Sequence, residues 1–563
     1  MTRQTTLRTP AGMNAAEAIL GDRPGAGDAM RTAILFRDER VSYGELAEHV
    51  RRAGAALAAR GVTPGARVLL LLRDTPALVF LYLGALRIGA VPVTLHLSTP
   101  PAELALALAE SAAVLAVVDA AALPGLRAEM AAGSDAAAAA LLDAGDAAAG
   151  YPAVRAWLAA QTPVCPAVER APDDMAFWIY TSGSTGRPKA VVHHQRDVLA
   201  APPYLRDVLG VGPGDRIYAT ARLFYAYALG CCLFGALHLG VTLVLEPDWP
   251  DPAVVARTVA RHRPTVMLSG PPMYRALLAA GVAREPTFAA VRRYVTAGER
   301  LPEAVGADWR AATGQPILEG YGTTETIHMV LAVPPGGDGA VSADTAVLPG
   351  TAVPPGTAGR PAPGVELMLK DEAERTITTP GRAGVLWVQL ASLGGGYWQR
   401  PERTARAFRG PWFVTGDVFR VDEAGWWFHL GRDDEALKIA GQWVDLVEVE
   451  SRARALADVA DAAAFGVPGP DGREQLALAL VPRNVEGAEA APAAAADEAM
   501  LLARVRDSFA AAPVALRPSA LRLAKALPRT VTGKVQRYRL RQLWLRGMSL
   551  DGSALDGTTV DGQ

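Results

Sequence analysis

The chain has 563 residues, half of them hydrophobic and a fifth of them charged, with a formal net charge of −2. A chain of this length is too long for one hydrophobic core, and we expect at least two domains. The near-neutral charge excludes a bulk electrostatic attraction to nucleic acid or to a membrane surface, and the composition is typical of a soluble globular protein.

The cysteines and the apolar segments indicate the compartment. Cys165, Cys231 and Cys232 are too few for a disulfide framework, so we expect buried free thiols. The N-terminus has no basic segment followed by an apolar core, which argues against a signal peptide. The longest apolar runs, at 68–72 and 76–86, are shorter than the roughly 20 residues that a membrane-spanning helix needs. We therefore expect a cytoplasmic protein.

The first 120 residues alternate between helical and strand-like patterns. Apolar residues at spacings of three and four predict a helix over 42–61 that ends on glycine. The apolar run ARVLLLL (66–72) predicts a strand buried on both faces. A helical pattern over 76–90 and a strand pattern over 91–97 follow. Such alternation predicts an α/β fold, in which helices cover a parallel sheet.

Strand patterns recur along the next two hundred residues, at 175–180, 214–224, 241–247, 264–270 and 292–299. Alanine-rich stretches at 131–150 and 486–498 carry no functional signal.

A concentration of glycines and charges at 429–441 predicts a hinge. The residues beyond it have helix and strand patterns of their own, including a helix over 501–510, and predict a smaller α+β domain. The last residues are polar and rich in glycine, which is typical of disorder. We therefore predict a large N-terminal domain over 1–432, a mobile C-terminal domain over 433–545 and a disordered tail over 546–563.

The segment YTSGSTGRPK (180–189) follows the strand pattern at 175–180. Glycines let backbone N–H groups approach an anion, hydroxyls add donors and a lysine adds positive charge, so the segment is typical of a phosphate-binding loop. It lacks the Walker spacing, because no Gly-Lys-Ser/Thr closes it. Taken alone, a flexible surface loop explains its composition equally well.

Four further motifs follow in order: EGYGTTET (319–326), FVTGDVF (413–419), GRDDEALKIAG (431–441) and LPRTVTGKVQR (527–537). With these motifs the chain resembles the acyl-adenylate-forming superfamily, which includes the acyl- and aryl-CoA synthetases, from about residue 13 to 545. Its segments LFYAYALG (223–230) and YVTAGERLP (294–302), and a histidine three residues after Glu325, are similar to the benzoate–CoA ligase branch.

The resemblance implies that ATP activates a carboxylic acid to an acyl-adenylate and that the acyl group then passes to the thiol of coenzyme A. Negative charge grows on the transferring phosphoryl oxygens, so donors, a metal ion and a cation are needed there. By resemblance, Thr324 binds the α-phosphate and Glu325 carries Mg²⁺, a cation that prefers oxygen ligands. The residues implied at the β- and γ-phosphates are Thr181, Ser182, Gly183, Ser184, Thr185, Gly186 and Lys189.

The resemblance also implies the nucleoside site. Tyr321 is expected to stack on adenine, and Gly322, the next residue in the sequence, is expected to belong to the same site. The opposite wall is expected to consist of Ala297, Gly298 and Glu299. Asp417 is expected to accept from both ribose hydroxyls, a role that suits an acceptor-only side chain, with Arg432 assisting.

A lone lysine near a C-terminus is usually a solvated charge, but Lys534 lies in a matched motif. By resemblance it bridges the substrate carboxylate and the phosphate oxygens during adenylation. The small domain of the family rotates between the two steps, with Asp433 as the expected pivot. After that rotation Lys438 and Gly441 are expected to face the active site, and Gly441 leaves room for the pantetheine arm.

The acid pocket of the family is walled by the segment after ARL (221–223) and by the residues after Glu325, where we expect an apolar helix. The implied lining residues are Phe224, Ala226, Tyr227, Gly320, Ile327 and His328. An aromatic, flat-walled pocket suits a planar ring. Taken singly, such aromatic and histidine residues are more often ordinary core residues.

Some positions depart from the benzoate branch. Pro272 and Met273 stand where relatives usually have a threonine-containing turn, which argues against benzoate itself as the substrate. The expected acid is aryl, with cyclic and short acyl acids as alternatives. A carrier protein is the alternative acceptor to coenzyme A, and a homodimer is expected by family only. A non-catalytic nucleotide-binding protein stays open as a third class.

Overall fold

The computed structural model describes residues 12–21, 27–132, 140–182, 188–336, 353–433, 437–439, 442–469, 473–483, 493–529, 535–548 and 550. The chain divides into a larger unit, Met1–Leu367 with Val388–Val414, and a smaller unit, Met368–Trp387 with Thr415–Gln563. A large N-terminal body and a small C-terminal body are thus confirmed. The predicted boundaries at 432 and 545, the mobility of the small domain and the disordered tail stay predictions.

The first sheet of the larger unit has nine strands. Five parallel pairings connect its central strands, from Thr32–Phe36 to Ile317–Gly322, and antiparallel strands close both edges. Four of its strands confirm the patterns predicted between residues 214 and 299. The strands in spatial order are Arg360–Pro361, Met329–Ala332, Ile317–Gly322, Arg293–Thr296, Val266–Ser269, Arg216–Ala219, Thr242–Leu245, Thr32–Phe36 and Glu39–Ser42.

The second sheet of the larger unit has seven strands. Four of its pairings are parallel, while Pro188–His194 is antiparallel to both of its neighbours. In spatial order the strands are Gly396–Tyr397, Pro188–His194, Met175–Ser182, Val91–Thr94, Arg67–Leu71, Leu115–Val118 and Ala140–Asp143.

Helices pack on both faces of these sheets. In the strand Arg67–Leu71, Val68 and Leu70 pack in one core cluster and Leu69 and Leu71 in another, which confirms a strand buried on both faces. The α-helices of this unit are Ala15–Leu20, Tyr43–Ala59, Pro76–Arg87, Pro101–Ser111, Leu123–Ala131, Pro152–Ala159, Ala201–Pro203, Ala226–Ala228, Pro252–His262, Pro271–Ala279, Pro286–Ala289, Glu303–Thr313 and Pro401–Ala407. Wider π-helical turns continue two of them, over Tyr204–Val208 and Leu229–Ala236.

The smaller unit contains a three-stranded sheet with helices on both faces. Val459–Pro468 and Glu474–Pro482 are antiparallel, and Ala520–Leu523 is parallel to the latter. Helices Leu446–Arg454 and Ala493–Ser508 pack on one face and Arg537–Leu545 on the other. The helix predicted over 501–510 therefore begins earlier, at Ala493.

The remaining described strands are short or antiparallel. Their bounds are Glu366–Lys370, Thr376–Ile377, Gly384–Gln389, Phe408–Arg409, Trp412–Val421, Trp427–Arg432, Lys438–Ile439 and Gln442–Trp443. Cys165, Cys231 and Cys232 are buried free thiols, as predicted. In the part of the chain that the structure describes, no helix combines the length and the apolar character needed to cross a membrane.

Helices Tyr43–Ala59 and Pro76–Arg87 pack against each other at Gly84. A Cβ atom at this position would lie 2.6 Å from the Cβ of Ala53 and 2.9 Å from the backbone nitrogen of Gly54. Both distances are shorter than a van der Waals contact. The two helices therefore pack this closely only because residue 84 has no side chain.

We expect Gly84→Ala to lower the free energy of unfolding by about 1–3 kcal/mol, because the added methyl group pushes the two helices apart. Denaturant unfolding measures this difference. Gly212→Ala is the matched control, since no heavy atom lies within 4 Å of a Cβ at that position. Its effect is expected to stay within about 0.5 kcal/mol. Equal stabilities of the two variants would contradict the close packing at Gly84.

Candidate functional site

The predicted phosphate-binding segment begins at the end of a strand. Met175–Ser182 and Pro188–His194 are antiparallel, with Thr181 opposite Lys189 in the register. The strand predicted at 175–180 is thereby confirmed. Thr181 and Ser182 end the first strand and Lys189 lies near the start of the second. Gly183, Ser184, Thr185 and Gly186 lie outside the described residues.

Lys189 contacts a buried carboxylate and an aromatic ring. Its Nζ lies 3.6 Å from Oε1 of Glu325 and 3.6 Å from the centroid of the Tyr397 ring. The Tyr397 hydroxyl donates to the same Glu325 Oε1 at 2.6 Å. Tyr397 reaches this position because Gly396–Tyr397 pairs with the strand that carries Lys189. The sequence analysis missed Tyr397, whose partner lies 72 residues away in the chain.

The segment after Glu325 is not a helix, contrary to the prediction. Thr324–Thr326 forms a single 3-10 turn, and Ile327 then adopts a left-handed conformation with φ of 59°. This conformation stops helical hydrogen bonding and turns the chain back into the strand Met329–Ala332, where Met329 pairs with Gly322. His328 therefore lies between a turn and a strand.

The implied adenine site lies at the ends of two neighbouring parallel strands. Arg293–Thr296 and Ile317–Gly322 pair in parallel, with Thr296 opposite Glu319. Ala297, Gly298 and Glu299 follow the first strand, while Gly320, Tyr321 and Gly322 belong to the second. Because the carboxyl ends of parallel strands meet at one edge of a sheet, the structure brings the two predicted adenine segments to the same edge.

A buried pair lies behind Thr324. His193 Nδ1 is 3.1 Å from Oδ2 of Asp197, and His193 Nε2 is 2.9 Å from the carbonyl oxygen of Thr324. The side chains of both His193 and Asp197 are inaccessible to solvent. The sequence analysis missed this pair, because the histidine and Thr324 are 131 residues apart and nothing local links them.

The residues implied at the acid pocket divide between two surroundings. Phe224 lines a cavity of about 300 Å³ together with Arg73, Asp74, Arg222 and Trp249. Its ring packs against that of His96, with centroids 4.8 Å apart. Neither Ile327 nor His328 lines this cavity.

Ala226 and Tyr227 instead pack with Ile327 in the large apolar cluster of the core. The helix that begins at Ala226 passes close to the turn, since a Cβ at Gly230 would lie 2.3 Å from the carbonyl oxygen of Ile327. The Tyr227 hydroxyl donates to the backbone oxygen of Val295 at 3.2 Å. The predicted pocket residues on these two segments are thus neighbours.

His328 is a buried, neutral histidine. Burial lowers its pKa to about 4. Its Nδ1 atom is buried, and no described residue forms a hydrogen bond with it. An unpaired buried polar atom costs free energy, about 1–3 kcal/mol, unless another group satisfies it. His328 therefore has one ring nitrogen available for a ligand.

Asp417, in the smaller unit, accepts hydrogen bonds from two side chains. Oδ1 lies 3.2 Å from His429 Nε2, and Oδ2 lies 3.3 Å from Arg432 Nη1. Asp417 and Arg432 are register partners on neighbouring antiparallel strands, so the predicted ribose pair lies together. The sequence analysis missed His429.

The implied hinge and thiol residues are described in part. The backbone nitrogen of Asp433 donates to the carbonyl oxygen of Gly416 at 2.7 Å. Lys438 pairs with Glu372, and its Nζ lies 4.1 Å from the centroid of the Trp443 ring. Gly441 lies outside the described residues.

Lys534 also lies outside the described residues, but the structure describes the chain on both sides of it. Arg529 and Val535 form an isolated bridge, and Gln536 donates to the carbonyl oxygen of Pro528 at 2.8 Å. Arg537 donates to Oε1 of the buried Glu450 at 2.6 Å. The two ends of this segment are therefore held together.

The residues around Glu325 fit a magnesium ion. Its carboxylate supplies the oxygen ligand that Mg²⁺ prefers. Oε1 receives the Tyr397 hydroxyl, while Oε2 has no hydrogen-bond partner among the residues that the structure describes. One carboxylate oxygen is therefore oriented and the other is available.

Comparisons with known proteins identify the family of the chain. The family model described as "AMP-binding enzyme" matches residues 22–398, and "AMP-binding enzyme C-terminal domain" matches residues 448–534. The 3-hydroxybenzoate–CoA/4-hydroxybenzoate–CoA ligase of Thauera aromatica is 39% identical over 540 residues, covering 95% of this chain and 98% of that protein. The benzoate–CoA ligase of the same organism is 35% identical over 540 residues, covering 95% and 97%.

A solved structure is similar over the same length. The crystal structure of the anthranilate CoA ligase AuaEII in complex with anthranoyl-AMP superposes with a TM-score of 0.82, at 27% identity, covering 95% of this chain and 98% of that chain.

The lowered pKa of His328 predicts a pH-dependent stability. Between pH 6.5 and about 4 the unfolded chain binds a proton at His328 that the folded chain does not. The contribution of this residue to the free energy of unfolding is therefore complete above pH 6.5 and falls as the pH is lowered, by up to about 1.4 kcal/mol per pH unit.

We expect His328→Asn to lose stability less steeply than the wild-type protein between pH 6.5 and 4. Denaturant unfolding of both proteins at several pH values in this window measures the two slopes. Parallel slopes would contradict a buried neutral histidine at this position.

Proposed function

Because the chain belongs to the AMP-binding enzyme family, and to its benzoate–CoA ligase branch, we propose specific roles for its residues. The protein is an AMP-forming ligase that activates an aryl acid with ATP and transfers the acyl group to coenzyme A. First, a carboxylate oxygen forms a bond to the α-phosphorus and pyrophosphate leaves. Then the thiol sulfur forms a bond to the acyl carbon, the thiol proton is lost, and AMP leaves.

One observation supports placing the adenylation step at the strand ends of the larger unit. Lys189, Glu325 and Tyr397 are in mutual contact, Thr324 precedes Glu325 in the chain, and Lys189 lies in the strand that follows the glycine- and hydroxyl-rich segment. A cation, a carboxylate and hydroxyl donors at one point match the needs of a reaction between two anions. The ammonium group of Lys189 attracts phosphate oxygens, and the Thr324 hydroxyl donates to the α-phosphate.

Glu325 is the proposed magnesium ligand. When bound, Mg²⁺ neutralises charge on the phosphate oxygens and makes pyrophosphate a better leaving group. Tyr397 keeps the carboxylate oriented through its hydrogen bond, since a donated hydrogen bond to a charged group is worth about 1.5–3 kcal/mol. The segment Thr181–Gly186 donates to the β- and γ-phosphates.

Adenine and ribose have separate proposed partners. Tyr321 stacks on adenine, with Gly322 beside it, and the segment 297–299 forms the opposite wall. Asp417 accepts from the ribose hydroxyls, with Arg432 holding the carboxylate in place. The hydrogen bonds of His429 and Arg432 to Asp417 support this role, because they orient the carboxylate as an acceptor.

A hydroxylated benzoic acid is the proposed substrate. Ala226, Tyr227, Gly320 and Ile327 are the proposed walls around the ring, while Phe224 lines a separate cavity. The Nδ1 atom of His328 has no hydrogen-bond partner among the described residues, which supports a ring hydroxyl as the bound group, since a bare ring edge would leave this nitrogen unsatisfied. The similarity to hydroxybenzoate–CoA ligases supports the same choice. Lys534 meets the acid's carboxylate.

Residues of the smaller unit are proposed to serve the second step. The unit rotates about Asp433, which brings Lys438 and Gly441 to the active site, and Gly441 leaves space for the pantetheine arm. A carrier-protein acceptor, a homodimer and a cytoplasmic location stay predictions. An assay with and without coenzyme A distinguishes coenzyme A from a carrier protein as the acceptor.

We expect the purified protein, supplied with ATP, Mg²⁺ and coenzyme A, to form acyl-CoA, AMP and pyrophosphate from 3- or 4-hydroxybenzoate. Its kcat/KM for one of these acids is expected to exceed that for benzoate by at least about 10-fold. This ratio corresponds to the free energy of one hydrogen bond, which the ring hydroxyl forms and benzoate cannot. Mass spectrometry follows the products across benzoic, aminobenzoic, alicyclic and short aliphatic acids, with and without coenzyme A.

The outcomes of this assay are distinct. Adenylate that accumulates while coenzyme A stays unused indicates a carrier-protein acceptor. A preference for benzoate or for an aliphatic acid overturns the proposed role of His328. No adenylate from any acid overturns the adenylation function itself.

Lys534→Ala tests the assignment of the motif lysine. Adenylate formation is expected to fall by about 100- to 1000-fold, because the lysine's charge is lost where negative charge develops. Conversion of synthetic acyl-adenylate to acyl-CoA is expected to change by less than about 3-fold, since the lysine acts in the first step only. Lys525→Ala, at an exposed position earlier in the sequence, is the control. Equal losses in both steps would contradict the assignment.

A further inference from the structure

We propose that the buried pair of Asp197 and His193 positions Thr324 for its contact with the α-phosphate, an inference that rests on the proposed adenylation reaction. Neither residue is assigned a contact with ATP or with the acid. Both act through the backbone of Thr324, and they are therefore positioning residues.

The contact between His193 and Thr324 has a defined direction. Nε2 of His193 lies 2.9 Å from the carbonyl oxygen of Thr324. A carbonyl oxygen can only accept, so the imidazole donates from Nε2. His193 lies on the strand Pro188–His194, which also carries Lys189. The same strand thus supplies a cation to the site and a donor that holds the residue beside it.

Asp197 fixes the imidazole from the other side. Its Oδ2 lies 3.1 Å from His193 Nδ1 and also accepts from the backbone nitrogen of His194 at 2.9 Å. Although burial disfavours the charged carboxylate, hydrogen bonds from His193 and His194 hold the pKa of Asp197 below its usual value. The Asp197 carboxylate and the Thr324 carbonyl oxygen therefore hold the two ring nitrogens of His193 from opposite sides.

Aromatic packing fixes the plane of the same ring. Phe177 stacks on His193 with the ring centroids 4.8 Å apart and an interplanar angle of 9°. Phe177 and His193 are register partners on the two antiparallel strands that flank the phosphate-binding segment. The hydrogen bonds with Asp197 and Thr324 and the stacking on Phe177 together fix the orientation of this imidazole.

Holding one carbonyl oxygen orients two functional residues at once. The carbonyl of Thr324 and the nitrogen of Glu325 share one planar peptide group. The turn's own hydrogen bond to this oxygen, from the nitrogen of Ile327, is long at 3.3 Å. The imidazole at 2.9 Å is the shorter contact. The direction of the Thr324 hydroxyl and of the Glu325 carboxylate therefore depends on His193.

Two substitutions of His193 separate positioning from general stability. Glutamine places its amide nitrogen near the position of Nε2 and keeps the donation to Thr324, while the contact with Asp197 is lost. Asparagine places its amide nitrogen near Nδ1 and keeps the contact with Asp197, while the donation to Thr324 is lost. Both replace a buried ring with a smaller amide, so their packing defects are alike. His238→Gln, at a half-buried histidine that binds the backbone of Ala18, is the control.

We expect His193→Asn to lower kcat for adenylate formation, measured by ATP–pyrophosphate exchange, by about 100-fold, the typical cost of a displaced catalytic group. His193→Gln is expected to stay within about 10-fold of the wild-type protein, with the KM for ATP changed by less than about 3-fold in both variants. Formation of acyl-CoA from synthetic acyl-adenylate is expected to stay unchanged. Equal losses in the two variants, or equal losses in both steps, would overturn the proposal.

Hydrogen exchange provides a readout that does not depend on activity. In His193→Asn the backbone amides of Thr326 and Ile327, which form the turn, are expected to exchange faster than in His193→Gln and in the wild-type protein. Identical exchange in the two variants overturns the positioning role whatever the substrate. If the wild-type protein forms no adenylate from any acid, the proposed function fails, and hydrogen exchange still decides whether His193 holds the turn.

Discussion

The site depends on a buried carboxylate, that of Glu325, and on the two groups that compensate for its burial. Glu325 is almost inaccessible to solvent, and a buried carboxylate is costly unless charged or hydrogen-bonding groups compensate it. The Tyr397 hydroxyl and the Lys189 ammonium group provide that compensation through Oε1. They come from the strands Gly396–Tyr397 and Pro188–His194, which pair with each other. The pairing of these two strands at the edge of the second sheet therefore brings both groups to Glu325.

The same logic explains why the two sheets meet the site at their strand ends. Thr324 and Glu325 follow Ile317–Gly322 of the first sheet, and Lys189 lies near the start of Pro188–His194, the strand that follows Met175–Ser182 in the second. Strand ends free backbone N–H groups from the sheet, and anions bind where such groups converge. His193 connects the two sheets within this region, because it belongs to a strand of one and donates to a residue that follows a strand of the other.

How well the sequence predicts each feature depends on how far apart in the chain the contacting residues lie. Strands such as Arg67–Leu71 are continuous apolar runs, so local pattern is enough to find them. Lys189, Glu325 and Asp417 are identified because each lies within a local motif, at 180–189, 319–326 or 413–419, that resembles a motif of the family. Tyr397 and His193 carry no local signal, because their partners lie 72 and 131 residues away. The turn after Glu325 was wrongly predicted as a helix, since apolar side chains suit a buried helix and a buried strand alike.

The turn itself shows how the fold maintains an unfavourable conformation. Ile327 is β-branched and left-handed, a combination that costs about 1–3 kcal/mol and persists only where neighbours enforce it. Two glycines allow that enforcement: a Cβ at Gly230 would lie 2.3 Å from the Ile327 carbonyl oxygen, and a Cβ at Gly322 would lie 2.3 Å from that of His328. Backbone thus packs on backbone from two sides. Because neither side can yield without moving a core helix or a sheet strand, the donors on this turn are positioned before any anion arrives.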